Sequence, residues 1–287
     1  MVAGARFLAV VVLTSVMLVH CGCADFSLPV PPAQDSDAPD VQEATGEDVP
    51  DEEDEAADNA ASAESCIFVD MNGNCIDYER PAHFLLQGGQ SCLSVEHILE
   101  IRGDIGALDK SIDSVGAIFE WKHRRFATVS SGGEYVGKLS VDEIMQRGAL
   151  TGCHDHGLIL ASILREYGFP SVMVDAAGIQ WALDHAAGTA EGYSGHVFVE
   201  VLTDEGWILL DSTSGQYVTD YEPCEPVIPL LKDIEPKGYY VLLKGIDPDD
   251  YGVANIDDLK GFMLAFAEKA PNIDFGAPPY DVRKLSR

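Results

Sequence analysis

Positive charge is scarce in this sequence. Of its 287 residues, 18 are Lys or Arg against 48 Asp or Glu, for a net charge of -30. Between Ala24 and Ser65 there is neither Lys nor Arg. Such a chain has no electrostatic means of holding nucleic acid or an anionic lipid surface, so neither is expected as a partner. Apolar runs of membrane length are wanting too: Phe7 to Val19 falls short of the roughly 20 residues that a spanning helix needs. No internal repeat of useful length is visible.

What is present at the N-terminus reads as an export signal. Arg6 supplies a weak positive start, Phe7 to Val19 the apolar segment, and small residues follow. The position of Cys21 and Cys23 resembles a bacterial lipoprotein signal, in which a cysteine after the apolar run carries the lipid. In Leu18-Val19-His20-Cys21, however, His20 stands where a small residue is usual, and ordinary cleavage after Ala24 competes. Both readings place the protein outside the cytoplasm, with membrane contact only through an N-terminal lipid. Residues 24–65 then form an acidic linker too poor in large apolar groups to fold, extended by its own repulsion.

Export permits disulfides. Beyond the signal lie Cys66, Cys75, Cys92, Cys153 and Cys224. If Cys153 remains a thiol, the other four allow two bridges, with three connectivities open. Asn72-Gly73 predicts a two-residue hairpin turn that pairs Asp70 with Cys75. Cys66 and Cys75 would then not face each other, which favours Cys92 or Cys224 as partners.

The spacing predicts helices from Ser94 to about Arg102, from Leu108 to Phe126, and from the capping box Ser140-Val141-Asp142-Glu143 to Gly148. A further helix begins at Cys153, with Ile159, Ile163 and Leu164 inward and Leu158, Ala161, Ser162 and Arg165 on another side. Gly168 and Pro170 end it. Strands are expected at Ser171 to Asp175, Gly195 to Leu202, Trp207 to Asp211 and Gly238 to Leu243. Helices followed by an antiparallel sheet make an α+β fold. The expected organisation is a signal (1–23), the linker (24–65), a hairpin-and-helix subdomain (66–107), a catalytic domain (108–245) and a C-terminal loop, helix and tail (246–287).

Three residues carry chemistry together. Cys153 opens a helix, where the N-terminal dipole and an adjacent imidazole favour thiolate. A loop centred between Asp204 and Glu205 pairs Phe198 with Asp211. Strand alternation then sets His196 and Asp211 on one face as diagonal neighbours. His196 would move the proton and Asp211 would orient and stabilise its imidazolium. The Cys153 backbone N–H would stabilise an oxyanion, with Trp121 as a candidate source of the second donor.

Gly152-Cys153 before an apolar helix, Arg165-Glu166-Tyr167-Gly168-Phe169-Pro170 before a strand, Gly195-His196-Val197-Phe198-Val199-Glu200, and Gly206-Trp207 leading to Asp211-Ser212-Thr213 resemble the transglutaminase-like superfamily. The resemblance runs from about Ala149 to Thr213 and loosely back to Trp121. It implies a papain-like core, with the nucleophile helix packed on an antiparallel sheet and Cys153, His196 and Asp211 as the triad. Phe198 stands where the family usually has tryptophan, and Ser212 where proline is common. The implied activity is that of a cysteine hydrolase or acyltransferase acting on amide bonds of peptides or proteins, hydrolysis being favoured because water is always at hand. The alternative is an inactive module of the same fold used for binding or as a scaffold.

Metal sites weigh less. In the cluster Cys153-His154-Asp155-His156, adjacent residues on one helix turn diverge and cannot all ligate; only Cys153 and His156 are neighbours, and with His185 they make a poor zinc set. Asp247, Asp249, Asn255 and Asp258 occupy the ligand positions of an EF-hand-like calcium loop, but Tyr251 breaks the pattern. An acidic loop capping a helix, with Leu259, Phe262 and Phe266 inward, accounts for the same residues, and no cofactor is expected.

Overall fold

The computed structural model describes residues 66–129, 133–228, 230–231, 235–276 and 280–285. The signal segment, Cys21, Cys23 and the linker up to residue 65 lie outside them. The chain opens with a hairpin of β1 (Ile67–Val69) and β2 (Cys75–Asp77), followed by a 3-10 turn at Pro81–Leu85 and helix α1 (Val95–Ile105). The hairpin departs from the expected register: Val69, not Asp70, pairs with Cys75. Asp70 is withdrawn because its Oδ1 accepts the backbone N–H groups of Asn72 and Asn74, each at 2.9 Å. A carboxylate-centred loop thus replaces the tight Asn-Gly turn.

Helix α2 (Ile112–Arg125) begins later than Leu108, because the Ser111 hydroxyl caps it by accepting from Ser114 N. A two-stranded bridge of β3 (Ala127–Thr128) and β4 (Ala149–Leu150) flanks α3 (Val141–Arg147). That helix has the full capping box at Ser140 and Glu143, and Gly148 closes it at φ 64°. Then comes α4 (Cys153–Glu166). It is buried on nearly every side, with Arg165 turned inward to donate to the carbonyls of Ser171 and Ile246. The side carrying Leu158, Ala161, Ser162 and Arg165 is covered as fully as the side carrying Ile159, Ile163 and Leu164.

The remaining elements are β5 (Ser171–Gly178), α5 (Ile179–Ala186), β6 (Gly195–Thr203), β7 (Gly206–Asp211), β8 (Gln216–Val218), β9 (Val227–Ile228), β10 (Tyr239–Gly245), α6 (Ile256–Lys269) and β11 (Val282–Lys284). Seven strands form one antiparallel sheet in the order β11-β8-β7-β6-β5-β10-β9. The chain is therefore a mixed helix-and-sheet fold. Helix α4 lies so close to β6 that a β-carbon at Gly157 would sit 2.7 Å from Val197 Cγ1. Val197, Val199 and Val201 join the helical core, while Phe198 and Leu209 join a second core completed by Phe68, Ile76, Tyr78 and Phe84. The hairpin thus closes the far side of the sheet, and α6 packs on α5. The short strands at the sheet edges and α5 carried too little periodic signal to be expected.

Within the second core, Lys244 Nζ meets Glu200 Oε1 at 2.5 Å, with both side chains wholly buried. Tyr78 and Tyr221 donate their hydroxyls to the same carboxylate, at 2.5 and 2.9 Å, and Lys244 also donates to the Pro223 carbonyl. Next to Pro223, Cys224 is bridged to Cys66. This is one of the two partners that the hairpin geometry favoured for Cys66. Removing one member of a buried pair strands the other charge. Lys244→Met should therefore lower stability by roughly 3–5 kcal/mol in urea unfolding with the disulfide intact. A loss below about 1 kcal/mol, the range of surface pairs, would show that the pair is not held dry.

Candidate active site

Gly152 is extended at the N-cap and Cys153 is the first residue of α4, so the thiol stands where unsatisfied backbone N–H groups collect. The imidazole comes from β6 and the carboxylate from β7. Phe198 pairs with Asp211, and Thr203 with Gly206 around an Asp204-Glu205 turn, as strand parity requires. His196 Nε2–H donates to Asp211 Oδ1 at 2.9 Å, leaving the other ring nitrogen for the thiol, with which His196 is hydrogen-bonded. The three residues are thus brought together in one chain of contacts.

Each member is held by its surroundings. Asp211 Oδ1 also accepts from Thr213 N at 2.8 Å and Ser214 N at 3.2 Å, while Oδ2 accepts the Ser214 hydroxyl at 2.8 Å. The His196 ring packs edge-on to Phe198 with centroids 4.8 Å apart and against Tyr239 at 5.8 Å. Phe198 therefore does the packing that a larger aromatic could do at that position.

The electrostatics favour an ion pair. Burial pushes the Cys153 thiol up, but the hydrogen bond and charge of His196, aided by His154, outweigh it and hold the thiol below its ordinary value. Burial opposes charge on His196 as well, yet its hydrogen bonds to Asp211 and Cys153 raise it to about 9. Both shifts favour the thiolate–imidazolium pair over the neutral pair.

Trp121 is not at the thiol. Its indole N–H donates to Asp104 Oδ2 at 3.0 Å, and the buried ring meets Phe126 edge-on. The expected second oxyanion donor is thus committed elsewhere. The acidic loop is likewise engaged by protein donors. Asp247 accepts from Gln90 N and Ser91 N, and Asn255 with Asp258 forms a capping box that starts α6. Asp249 stands apart, with its backbone carbonyl receiving Gly252 N. Of the zinc candidates, His156 turns away to Lys122, with 3.0 Å between Nδ1 and Nζ.

Groups that local reasoning missed surround the site. Buried Lys122 donates to the Ser212 carbonyl, next to Asp211. Burial pushes this lysine down to about 7, with Asp211 acting in the opposite sense. Burial and Lys122 together hold His156 down to about 3, so it stays neutral. Lys122 follows Val115 and Phe119 on the inward face of α2; a lysine on an apolar helical stripe was the available signal. A cleft of about 300 Å³ opens over Cys153 and His196, walled by Leu259 and Met263 of α6 and bounded by Asp175 and Tyr193.

No family model and no curated protein matches the sequence. Among solved structures, the chain is similar to a "putative cysteine protease" from Cytophaga hutchinsonii, at 16% identity and a TM-score of 0.42. The match covers 62% of this chain and 50% of that one, so the chain spans about half the length of that neighbour.

The ion pair has a defined window. Below the lowered thiol value Cys153 is protonated, and above about 9 His196 loses its proton. Alkylation of Cys153 by iodoacetamide should thus set in at lower pH than for an ordinary thiol and show no alkaline fall. In His196→Ala its onset should move up to or beyond the ordinary thiol range, about 8.5. An unchanged profile in that variant would show that His196 does not hold the thiolate.

Proposed function

We propose that the chain is an exported, transglutaminase-like cysteine enzyme with a papain-like core. It cleaves or transfers amide bonds of peptides or proteins through a thioester on Cys153. The observation that carries this reading is the aligned contact from thiol to imidazole to carboxylate, with His196 and Asp211 2.9 Å apart. The sequence motifs around Cys153, His196 and Asp211 support it independently.

In this mechanism the Cys153 thiolate attacks the amide carbonyl, and negative charge collects on its oxygen. The N–H groups at the start of α4 face that charge, beginning with Cys153's own. His196 passes its proton to the departing amine, and the thioester remains. Water, or an acceptor amine, then gives His196 a proton as it attacks, and the thiolate is restored. Asp211 keeps the imidazole oriented and offsets its charge throughout. Hydrolysis is favoured because water needs no acceptor site of its own. The Cys66–Cys224 bridge suits an oxidising compartment. No helix among the described residues is long and apolar enough to cross a membrane. The acidic stretch before residue 66 would act as a spacer from a cleaved or lipidated N-terminus.

Cys153→Ser should abolish trapping of an acyl-enzyme by hydroxylamine with a panel of peptide, isopeptide and cell-wall amides. Asp211→Asn should reduce kcat by about 10³–10⁴-fold while Cys153 remains in place. Detection of an inert Cys153 in the folded wild-type protein would sink the enzyme reading and leave a binding module.

A further inference from the structure

Cys153 shares its cleft with a second polar group, whose carboxylate the proposed chemistry leaves unused. His154 follows the thiol on α4, Asp175 comes from β5, and Tyr251 reaches in from the turn after β10; all three side chains are buried. The Tyr251 hydroxyl donates to Asp175 Oδ2 at 2.6 Å. His154 Nε2 lies 3.5 Å from that same oxygen and 3.3 Å from the hydroxyl, an ion-pair separation from the carboxylate rather than a tight hydrogen bond. Asp175 is 1% exposed and lines the cleft, yet its Oδ1 meets no hydrogen-bond donor among the described residues. A carboxylate buried with one oxygen unmet is costly unless a donor arrives from elsewhere.

We propose that Asp175 Oδ1 anchors a protonated primary amine on the substrate's acyl portion, a few bonds from the carbonyl that Cys153 attacks. Asp175 and the thiol border one cleft near the small end of ligand pockets, so a group bound at one is close to the other. A cationic N–H makes a shorter and stronger bond to carboxylate than a neutral one. Lys260, the lysine that lines the cleft, is paired with Asp257 at 2.9 Å and stands over the Tyr193 ring, so it does not fill the role. Leu259 and Met263 give the substrate's hydrocarbon an apolar wall. The substrate class is therefore an amide whose acyl group carries both a free amine and apolar carbon.

This assignment rests on the cysteine-enzyme reading, and one experiment separates the two. The full protein is alkylated with N-(2-aminoethyl)iodoacetamide or its neutral isostere N-propyl iodoacetamide. Rates are read by mass spectrometry at Cys153 and at the exposed Cys75, which reports general attraction of cations to an acidic protein. After division by the Cys75 ratio, the cationic probe should be preferred at Cys153 by about tenfold, as for a hydrogen bond to a charged group. Asp175→Asn should bring that preference to about one, and Tyr251→Phe, which leaves Oδ1 untouched, should keep it. No preference in the wild type, or one that survives Asp175→Asn, overturns the anchor. So does an equal slowing of both probes in Asp175→Asn, the mark of a merely structural role. A Cys153 that is inert to the neutral probe removes the enzyme reading and the anchor with it. Fast neutral labelling without cationic preference removes the anchor alone.

Discussion

The turn at Asp204-Glu205 holds β6 against β7 in a single register, and the geometry of the site depends on that register. With Phe198 opposite Asp211, His196 and Asp211 fall on one face and meet at 2.9 Å. A slip of one residue would turn one strand's side chains to the opposite face and leave a buried carboxylate without its imidazole. Thr203 reinforces the turn by accepting from Glu205 N and donating to the Gly206 carbonyl. The backbone after Asp211 then folds back, so that Thr213 N and Ser214 N bind the same carboxylate. Strand pairing thus sets the distance, and the following turn sets the orientation.

The two faces of the sheet perform different work. On one, small and branched residues of β6 accept the close approach of α4, which fixes where Cys153 can stand. On the other, Glu200, two positions beyond Phe198, is neutralised by Lys244 and bound by two tyrosines. A buried ion pair of this kind is weak evidence for net stability, because desolvation offsets much of the attraction. Its directional demands are strict, however. Lys244 must reach Glu200, Tyr78 and Pro223 at once, which ties β10, β6, the N-terminal hairpin and the Cys224 segment to a common arrangement.

The residues around the thiol, imidazole and carboxylate were legible in the sequence because strand parity and helix capping are local. Ser94, Ser140 and Gly148 ended or began helices where their chemistry predicts. What failed, failed through long-range contacts. Trp121 sits on an expected helix, but its indole is taken by Asp104, which belongs to the preceding helix. The hairpin register changed because one side chain, Asp70, outcompeted the tight turn for backbone donors. Asp175 looked like the last residue of a strand, whereas the strand runs on to Gly178 and delivers the carboxylate into the cleft. No spacing within the sequence announces that Tyr251, 76 positions away, would reach it.

Scarcity of positive charge gives these interior placements their meaning. The chain has only 18 Lys and Arg, yet Lys122, Arg165 and Lys244 are buried. Each serves acceptors that water cannot reach: Lys122 the segment beside Asp211, Arg165 the carbonyls of Ser171 and Ile246, and Lys244 the Glu200 carboxylate. The excess of acidic residues over Lys and Arg still gives the chain a negative field. That field attracts cationic molecules generally and decays over about 8 Å at physiological salt, so it selects nothing by itself. Selectivity requires a carboxylate held dry at a fixed place, where screening is weak and a donor's geometry matters. The fold provides such a carboxylate beside the thiol, and the same burial that makes Asp175 costly to leave unmet makes it discriminating.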